Sequence, residues 1–472
     1  MKPADFFPSF AILLVSAITA FGSPASSPNL IIILTDDQGY HDVGFNGCKD
    51  IPTPNLDSIV SNGVRFTSGY VSSSVSSASR AALLTGRYQE RFGYERDTPW
   101  QPNNPDAGLP STETTLAEAL GKVGYATGMI GKWHLGSSQA KRPLKRGFNE
   151  FFGFLGAGHR YFPEDLTMDQ THQAKNDDDS WRLWIMRNDE LVKTTNYLTD
   201  EFSDEAVSFI ARHKEKPFFV FLSYNAPHAP LQATEKYLNR FPKIIGIHRR
   251  TYAAMMSAVD DGVGSIITEL RKDGLEEQTL LVYLSITSGA LDANSSDNYP
   301  LRSSKNFPWE GGWRVPFAMQ WAGHLPKGLV YNHPVLSLDI FATITSLANV
   351  PASAERQLDG VNLVPYLTGQ KAGAPHDAIY LRLSERSGYA VRSGEYKLVV
   401  PAKGEAAEVF NLTGNLAESK NLAETQPELV RELENKYAAW NAQMMSASAP
   451  GITERHVSQP IDTDTENLKL EP

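Results

Sequence analysis

Four apolar runs rich in β-branched and aromatic residues, each closing on a polar cluster, constrain this chain more than any other feature. Leu30-Ile-Ile-Ile-Leu34 leads into Thr35-Asp36-Asp37-Gln38-Gly39, and Ala126-Thr-Gly-Met-Ile130 into Gly131-Lys132-Trp133-His134. Phe218-Phe-Val-Phe-Leu222 runs on to Asn225-Ala226-Pro227-His228, and Thr279-Leu-Leu-Val-Tyr-Leu284 to Ser285-Ile286-Thr287-Ser288-Gly289. Runs that are apolar throughout suit strands buried on both faces. Helical patterns separate them, at Leu116 to Leu120, Asp204 to His213 and Arg249 to Leu275. Alternating strands and helices predict an α/β fold, a mostly parallel sheet sandwiched by helices. Ligands of such sheets bind beyond the carboxyl ends of the strands, where the polar clusters lie.

The texture changes after about residue 375. Ile379 to Leu383, Gly388 to Arg392, Tyr396 to Val400 and Ala407 to Phe410 are short strand-like runs, followed by a helical stretch from Pro427 to Met444. They predict a small antiparallel sheet plus helix over residues 375–445, behind a main domain over 26–374. Residues 446–472 are polar and read as a flexible tail. At the start, Lys2 precedes an apolar run from Phe10 to Phe21 and then small residues. This predicts a signal peptide over 1–25, and hence an exported protein, periplasmic or secreted, of bacterial type. No other stretch is apolar and long enough for a membrane span, so no membrane association is expected after cleavage. Cys48 is the one cysteine, which excludes an intrachain disulfide. A net charge of −10 argues against nucleic acid as a partner.

Each polar cluster has an ordinary reading and a chemical one. Asp36-Asp37 suits a hard divalent cation, although a lone pair of this kind is more often a solvated turn. Lys132 and His134, two apart after a strand, can both face one cavity and meet an anion. Taken alone they fit a surface Lys beside a structural His. His228, between Pro227 and Pro230, is rigidly placed for proton transfer, where a single His is usually structural. Ser76-Ser77-Ala78-Ser79 ahead of Arg80-Ala81-Ala82-Leu83-Leu84 reads as a serine-capped helix stopped by Gly86. A helix start beside an Arg also suits an oxyanion. Arg302 and Arg314 read equally well as structural.

Together the clusters resemble the signature blocks of the type I sulfatases, of the alkaline-phosphatase-like superfamily. The blocks are Asp36-Asp37-Gln38-Gly39, Ser76-Ser77-Ala78-Ser79-Arg80 with Leu84-Thr85-Gly86-Arg87, Gly131-Lys132-Trp133-His134, Pro227-His228-Ala229-Pro230, and Pro300 to Lys305 with Glu310 to Pro316. The texture is closest to the bacterial polysaccharide sulfatases. The resemblance implies an exported sulfatase that hydrolyses sulfate esters, with a sulfated saccharide as substrate. It implies formylglycine made from Ser76 by a maturase, the radical type suiting a Ser start with Ala78. It also implies Ca2+ held by Asp36, Asp37 and the modified Ser76. Arg80 and His134 would hold the formylglycine, and Lys132, Lys305 and His228 would bind sulfate.

The chain departs from the family after the fourth run. Ser285-Ile286-Thr287-Ser288 stands where Ser-Asp-Asn-Gly is usual. Ile286 cannot coordinate a cation, and Thr287 offers a neutral hydroxyl. Asp292, or Ser296-Asp297-Asn298, could restore the missing ligands by reaching back from the following loop. Two alternatives therefore stand beside the sulfatase reading. One is a pseudo-sulfatase that binds sulfated glycans without turnover, the other a phosphoester or phosphonate hydrolase. The aromatic stretch Gly156 to Asp189, with His159, Arg160, Tyr161, Trp181 and Trp184, suits substrate contact or core packing.

Overall fold

A computed structural model describes residues 27–353, 356–383 and 388–445. The expected signal peptide and the 446–472 tail lie outside the described residues. Ten strands form one sheet, and the four apolar runs are at its centre. From edge to edge the order is Leu329–Tyr331, Val64–Phe66, Phe317–Gln320, Thr279–Ser285, Asn29–Thr35, Phe218–Ser223, Ala126–Lys132, Glu150–Phe154, Ile185–Arg187, Glu190–Val192. The stretch from Thr279–Ser285 to Glu150–Phe154 is parallel. Antiparallel pairings flank it on both sides.

Burial on both faces accounts for the unbroken apolar runs. Leu30, Ile32 and Leu34 point to one face with Phe219, Phe221, Leu280 and Val282. Ile31 and Ile33 point to the other with Val220, Leu222, Leu281 and Tyr283. The first face is covered by helices Ser76–Thr85, Leu116–Gly121 and Leu338–Leu347. The second is covered by Pro54–Ser61, Leu198–His213 and Ile247–Lys272. Each buried Leu or Ile contributes roughly 1.5–3 kcal/mol by leaving water. Among the described residues no helix is long and apolar enough to cross a membrane.

The second sheet is an antiparallel meander of Ala378–Leu383, Gly388–Ser393, Tyr396–Val400 and Glu408–Asn411. One face, with Ile379, Leu381, Val399 and Phe410, packs on Tyr70, Trp313 and Leu336 of the main body. The other, with Val391, Leu398 and Val409, receives Leu433 of helix Pro427–Asn441. A buried ionic cluster joins this sheet to the main body. Glu310 pairs with Arg314 at 2.9 Å and with Lys397 at 2.9 Å, and Lys397 pairs with Glu418 at 2.8 Å. Glu310 N–H also donates to Glu418 at 2.7 Å. The segment that follows Lys305 is thereby tied to the C-terminal sheet.

Candidate active site

Strand register brings the polar clusters to one edge. Thr35 is level with Ser285, Leu34 with Ser223, and Gly131 with Ser223, so all four loops leave the sheet together. Helix Ser76–Thr85 points its first turn at this edge. The helix starts at Ser76 itself, with Val75 in the capping position and no side-chain cap. The serines are therefore buried helix residues, not caps as the sequence suggested. Gly86 ends the helix in the left-handed conformation, φ 68°, as expected.

Ser76 and Arg80 lie one turn apart on one helix face. Arg80 is fully buried and divides its guanidinium among four partners. Nε donates to Ser76 Oγ at 3.2 Å, Nη2 to Asp36 Oδ2 at 3.0 Å, and Nη1 to the Lys132 carbonyl at 3.1 Å and to Ser223 Oγ. Asp36 Oδ2 also meets Lys132 Nζ at 2.6 Å and accepts from Ser76 Oγ at 3.3 Å. Burial alone would raise the Asp36 carboxyl. Lys132 and Arg80 outweigh it and hold the group well below the usual carboxylate range.

Asp37 faces the opposite side of the pocket, with φ 62°. Its Oδ1 meets Lys305 Nζ at 2.7 Å, and its Oδ2 lies 3.7 Å from His228 Nε2. Burial would lower the Lys305 ammonium, but Asp37 and Asp36 prevail and raise it. Thr287 Oγ1 stands between the two carboxylates, 3.0 Å from Asp36 Oδ1 and 2.8 Å from Asp37 Oδ1, and accepts Asp37 N–H at 3.1 Å. Its neighbour Ile286 is fully buried and belongs to the apolar core.

Two histidines complete the ring. His134, φ 55°, is buried, and neither ring nitrogen has a hydrogen-bond partner among the described residues. Burial brings its pKa down to about 3, so the ring is neutral. His228 Nδ1 lies 2.6 Å from the Ala229 carbonyl. A carbonyl only accepts, so Nδ1 carries the hydrogen and Nε2 of the neutral ring is bare toward the pocket. Burial, then Lys132, lowers the His228 pKa. Ser76, Arg80, Lys132, His134, His228, Lys305, Asp36 and Asp37 thus all come to this edge.

Three participants were missed in the sequence. Ser223 accepts from Arg80 and donates to the Lys132 carbonyl at 2.9 Å. Asp97 accepts Ser77 N–H at 3.1 Å and lies 3.6 Å from His134 Nε2. Asn294 donates to the Asp37 carbonyl at 2.8 Å and to the Pro227 carbonyl at 3.2 Å, joining two site loops. A lone Ser at a strand end and isolated Asp and Asn residues in loops carry no pattern. The aromatic stretch divides. His159, Tyr161 and Trp184 are engaged inside the protein, with His159 on Phe154 and Trp184 on the Leu166 carbonyl. Tyr161 donates to the His228 carbonyl at 2.8 Å, and Trp181 meets the His228 ring edge-on at 6.1 Å. Both brace that histidine. Arg302 pairs with Glu408 at 3.1 Å, and Arg314 pairs with Glu310, so both are structural.

The pocket fits formylglycine. Ser76 Oγ is held by Arg80 and Asp36, and the unpartnered His134 nitrogens supply polar groups without a present use. Ca2+ fits poorly. It takes six to eight oxygens, several of them charged. Asp36 and Asp37 are the carboxylates present, and each already touches a fixed cation. Among the described residues no three His, Cys, Asp or Glu side chains gather to hold a metal. The following loop does not make up the deficit. Asp292 is exposed, Asp297 accepts from Tyr299 N–H, and the Asn298 side chain closes its own loop on Gly289 and Gly311.

The sulfatase family profile matches residues 28–350, and the profile of the N-sulphoglucosamine sulphohydrolase C-terminal region matches 303–443. Mouse arylsulfatase J is 36% identical over 351 residues, 72% of this chain and 55% of its own length. The chain therefore spans little more than half of that relative. Mouse N-acetylgalactosamine-6-sulfatase is 33% identical, with 82% of this chain and 74% of that protein covered. The crystal structure of Ps i-CgsB in complex with k-i-k-neocarrahexaose superposes with a TM-score of 0.84 at 35% identity, covering 90% of this chain and 94% of that one. These matches and the converged signature residues place the chain in the sulfatase family, with an alkaline-phosphatase-like fold.

Proposed function

We propose that this protein is an exported hydrolase that releases sulfate from a sulfated carbohydrate, using formylglycine made from Ser76. The observation that carries the reading is the grip on Ser76. Arg80 and Asp36 fix its side chain at the first turn of a helix, beside a histidine whose nitrogens are open. The carbohydrate assignment is supported by the relative solved with an oligosaccharide, a neocarrahexaose, at 35% identity. The apolar run from Phe10 to Phe21 supports export.

A hydrated formylglycine would supply two hydroxyls on one carbon, one to attack sulfur and one to drive release of sulfate. The chain's own residues prepare that chemistry. Lys132 and Lys305 place two ammonium groups around the anion position, and Arg80 keeps Ser76 from rotating away. His134, kept neutral by burial, can hydrogen-bond the modified side chain. His228 presents a bare Nε2. Donation to the leaving oxygen requires its imidazolium, which an anionic substrate alongside favours.

A second reading, a glycan-binding pseudo-sulfatase, is favoured by Ile286 and Thr287 at the cation position. Sulfate release from sulfated oligosaccharides, after expression with a radical-type maturase, separates the two. The proposal predicts release that Ser76→Ala abolishes. Binding without release by matured protein contradicts it, as does faster turnover of a phosphomonoester or phosphonate.

A further inference from the structure

We propose that the Asp36–Asp37 pocket does not retain a divalent cation, because the Thr287 hydroxyl and the Lys305 ammonium close the carboxylate pair in its place. The proposal rests on reading this pocket as the sulfate-ester site and concerns how that site is held.

Three of the four carboxylate oxygens are already committed, and the fourth, Asp37 Oδ2, lies 3.7 Å from His228 Nε2. Asp36 Oδ2 has Lys132, Arg80 and Ser76 as donors, at 2.6, 3.0 and 3.3 Å. Asp36 Oδ1 and Asp37 Oδ1 share Thr287 Oγ1, and Asp37 Oδ1 also takes Lys305 at 2.7 Å. A threonine hydroxyl has a single hydrogen, and here Oγ1 also accepts Asp37 N–H. It ties the two aspartates together instead of standing open to a metal. The position before it holds Ile286, whose side chain lies in the apolar core, so no third carboxylate reaches the pair from that turn. Two unpartnered oxygens remain on neighbouring strand-end loops, Asn225 Oδ1 and Ser288 Oγ. Both are neutral and add no charge for a hard cation. In this arrangement Lys132, Lys305 and Arg80 supply the positive charge that meets a sulfate group.

The test is metal content of the full-length matured protein by plasma mass spectrometry, after dialysis against CaCl2 and gel filtration. The proposal predicts under about a tenth of an equivalent of calcium, and the same melting temperature in EDTA as in excess CaCl2, because a cation bound to the native state would raise it. One equivalent carried through the column, or a melting temperature that rises with calcium, overturns it. Thr287→Asp leaves Ile286 in the core and returns a carboxylate to the turn. It is expected to make the melting temperature rise with calcium where the parent does not. Inorganic sulfate, added in EDTA, is expected to stabilise the parent and to lose that effect in Lys305→Met. A sulfate effect that appears only with calcium overturns the proposal. Unmodified Ser76 with no sulfate release would sink the sulfatase reading while leaving the calcium result to stand or fall separately.

Discussion

Thr287 and Arg80 carry most of what is specific to this pocket at the scale of single residues. Thr287→Val keeps the shape and removes the hydroxyl that Asp37 N–H and two carboxylates use. Leaving a buried donor unpaired costs about 1–3 kcal/mol, so urea unfolding should show a loss of that order, mostly recovered in Thr287→Ser. Unchanged stability in the valine variant would show that the hydroxyl is not a structural tie. Arg80→Lys keeps the charge but loses the planar fork that meets Ser76, Asp36, the Lys132 carbonyl and Ser223 at once. Small misplacements of a reacting group cost about 100-fold in rate, and a kcat drop of that size is expected, with KM changed less. The serine signature, Lys132, His134, His228 and Lys305 were legible because their blocks resemble those of the sulfatases; taken one at a time, each had an ordinary structural reading. Thr287 was read as a poor metal ligand; its role as a tie between Asp36 and Asp37 depends on a contact with no sequence trace.

The central strands and the glycines between them set tolerance at the scale of elements. Gly131 has φ 97°, and a Cβ there would lie 2.0 Å from the Ser223 carbonyl oxygen on the next strand. Gly131→Ala must push neighbouring parallel strands apart next to Lys132. A loss above about 4 kcal/mol is expected, seen as little soluble protein or a collapsed urea midpoint. Gly124 is a fair control. It has φ 89° with nothing within 4 Å of a Cβ, so alanine should cost only the left-handed strain, about 1–2 kcal/mol. Equal effects at the two sites would contradict the close-approach account. The four central strands were legible because burial on both faces makes them largely apolar, two of them throughout, a pattern local to each run. Short outer strands such as Val64–Phe66 and Ile185–Arg187 were not, because three residues leave no periodicity to read. The helix start at Ser76 was misread for a related reason. Serine favours caps, but here hydrogen bonds to Tyr94, Asp97 and the His134 carbonyl hold Ser77 inside the first turn.

At the scale of the whole molecule, two buried polar joints attach the C-terminal sheet to the main body. One is the Glu310–Lys397–Glu418 cluster. The other is His376, whose Nε2 lies 2.8 Å from Asp339 Oδ1, while the same carboxylate accepts the backbone N–H groups of Leu336 and Val361. Burial would lower the His376 pKa, but Asp339 outweighs it and raises the pKa above 6.5. A raised folded pKa favours the protonated, folded form. Its contribution is complete below the unfolded value of 6.5 and fades as pH rises through the higher folded value. Urea unfolding from pH 5.5 to 8.5 (about one unit below and two above the ordinary histidine value) should show stability falling across that window. His376→Gln should flatten that fall, and an unaltered slope in the variant would contradict the assignment. The presence of a second, antiparallel sheet was legible from its alternating short runs and turns. These joints were not, since their partners are far apart in sequence.

The central claim is that Ser76 is an oxidised nucleophile in a working sulfatase. The most direct measurement is the mass of the peptide containing Ser76, from protein matured by a radical-type enzyme, read beside sulfate release by the same preparation. The account predicts loss of two hydrogens at Ser76 and sulfate release that scales with the modified fraction. Sulfate release from protein whose Ser76 is unmodified, or full modification with no release, would contradict it.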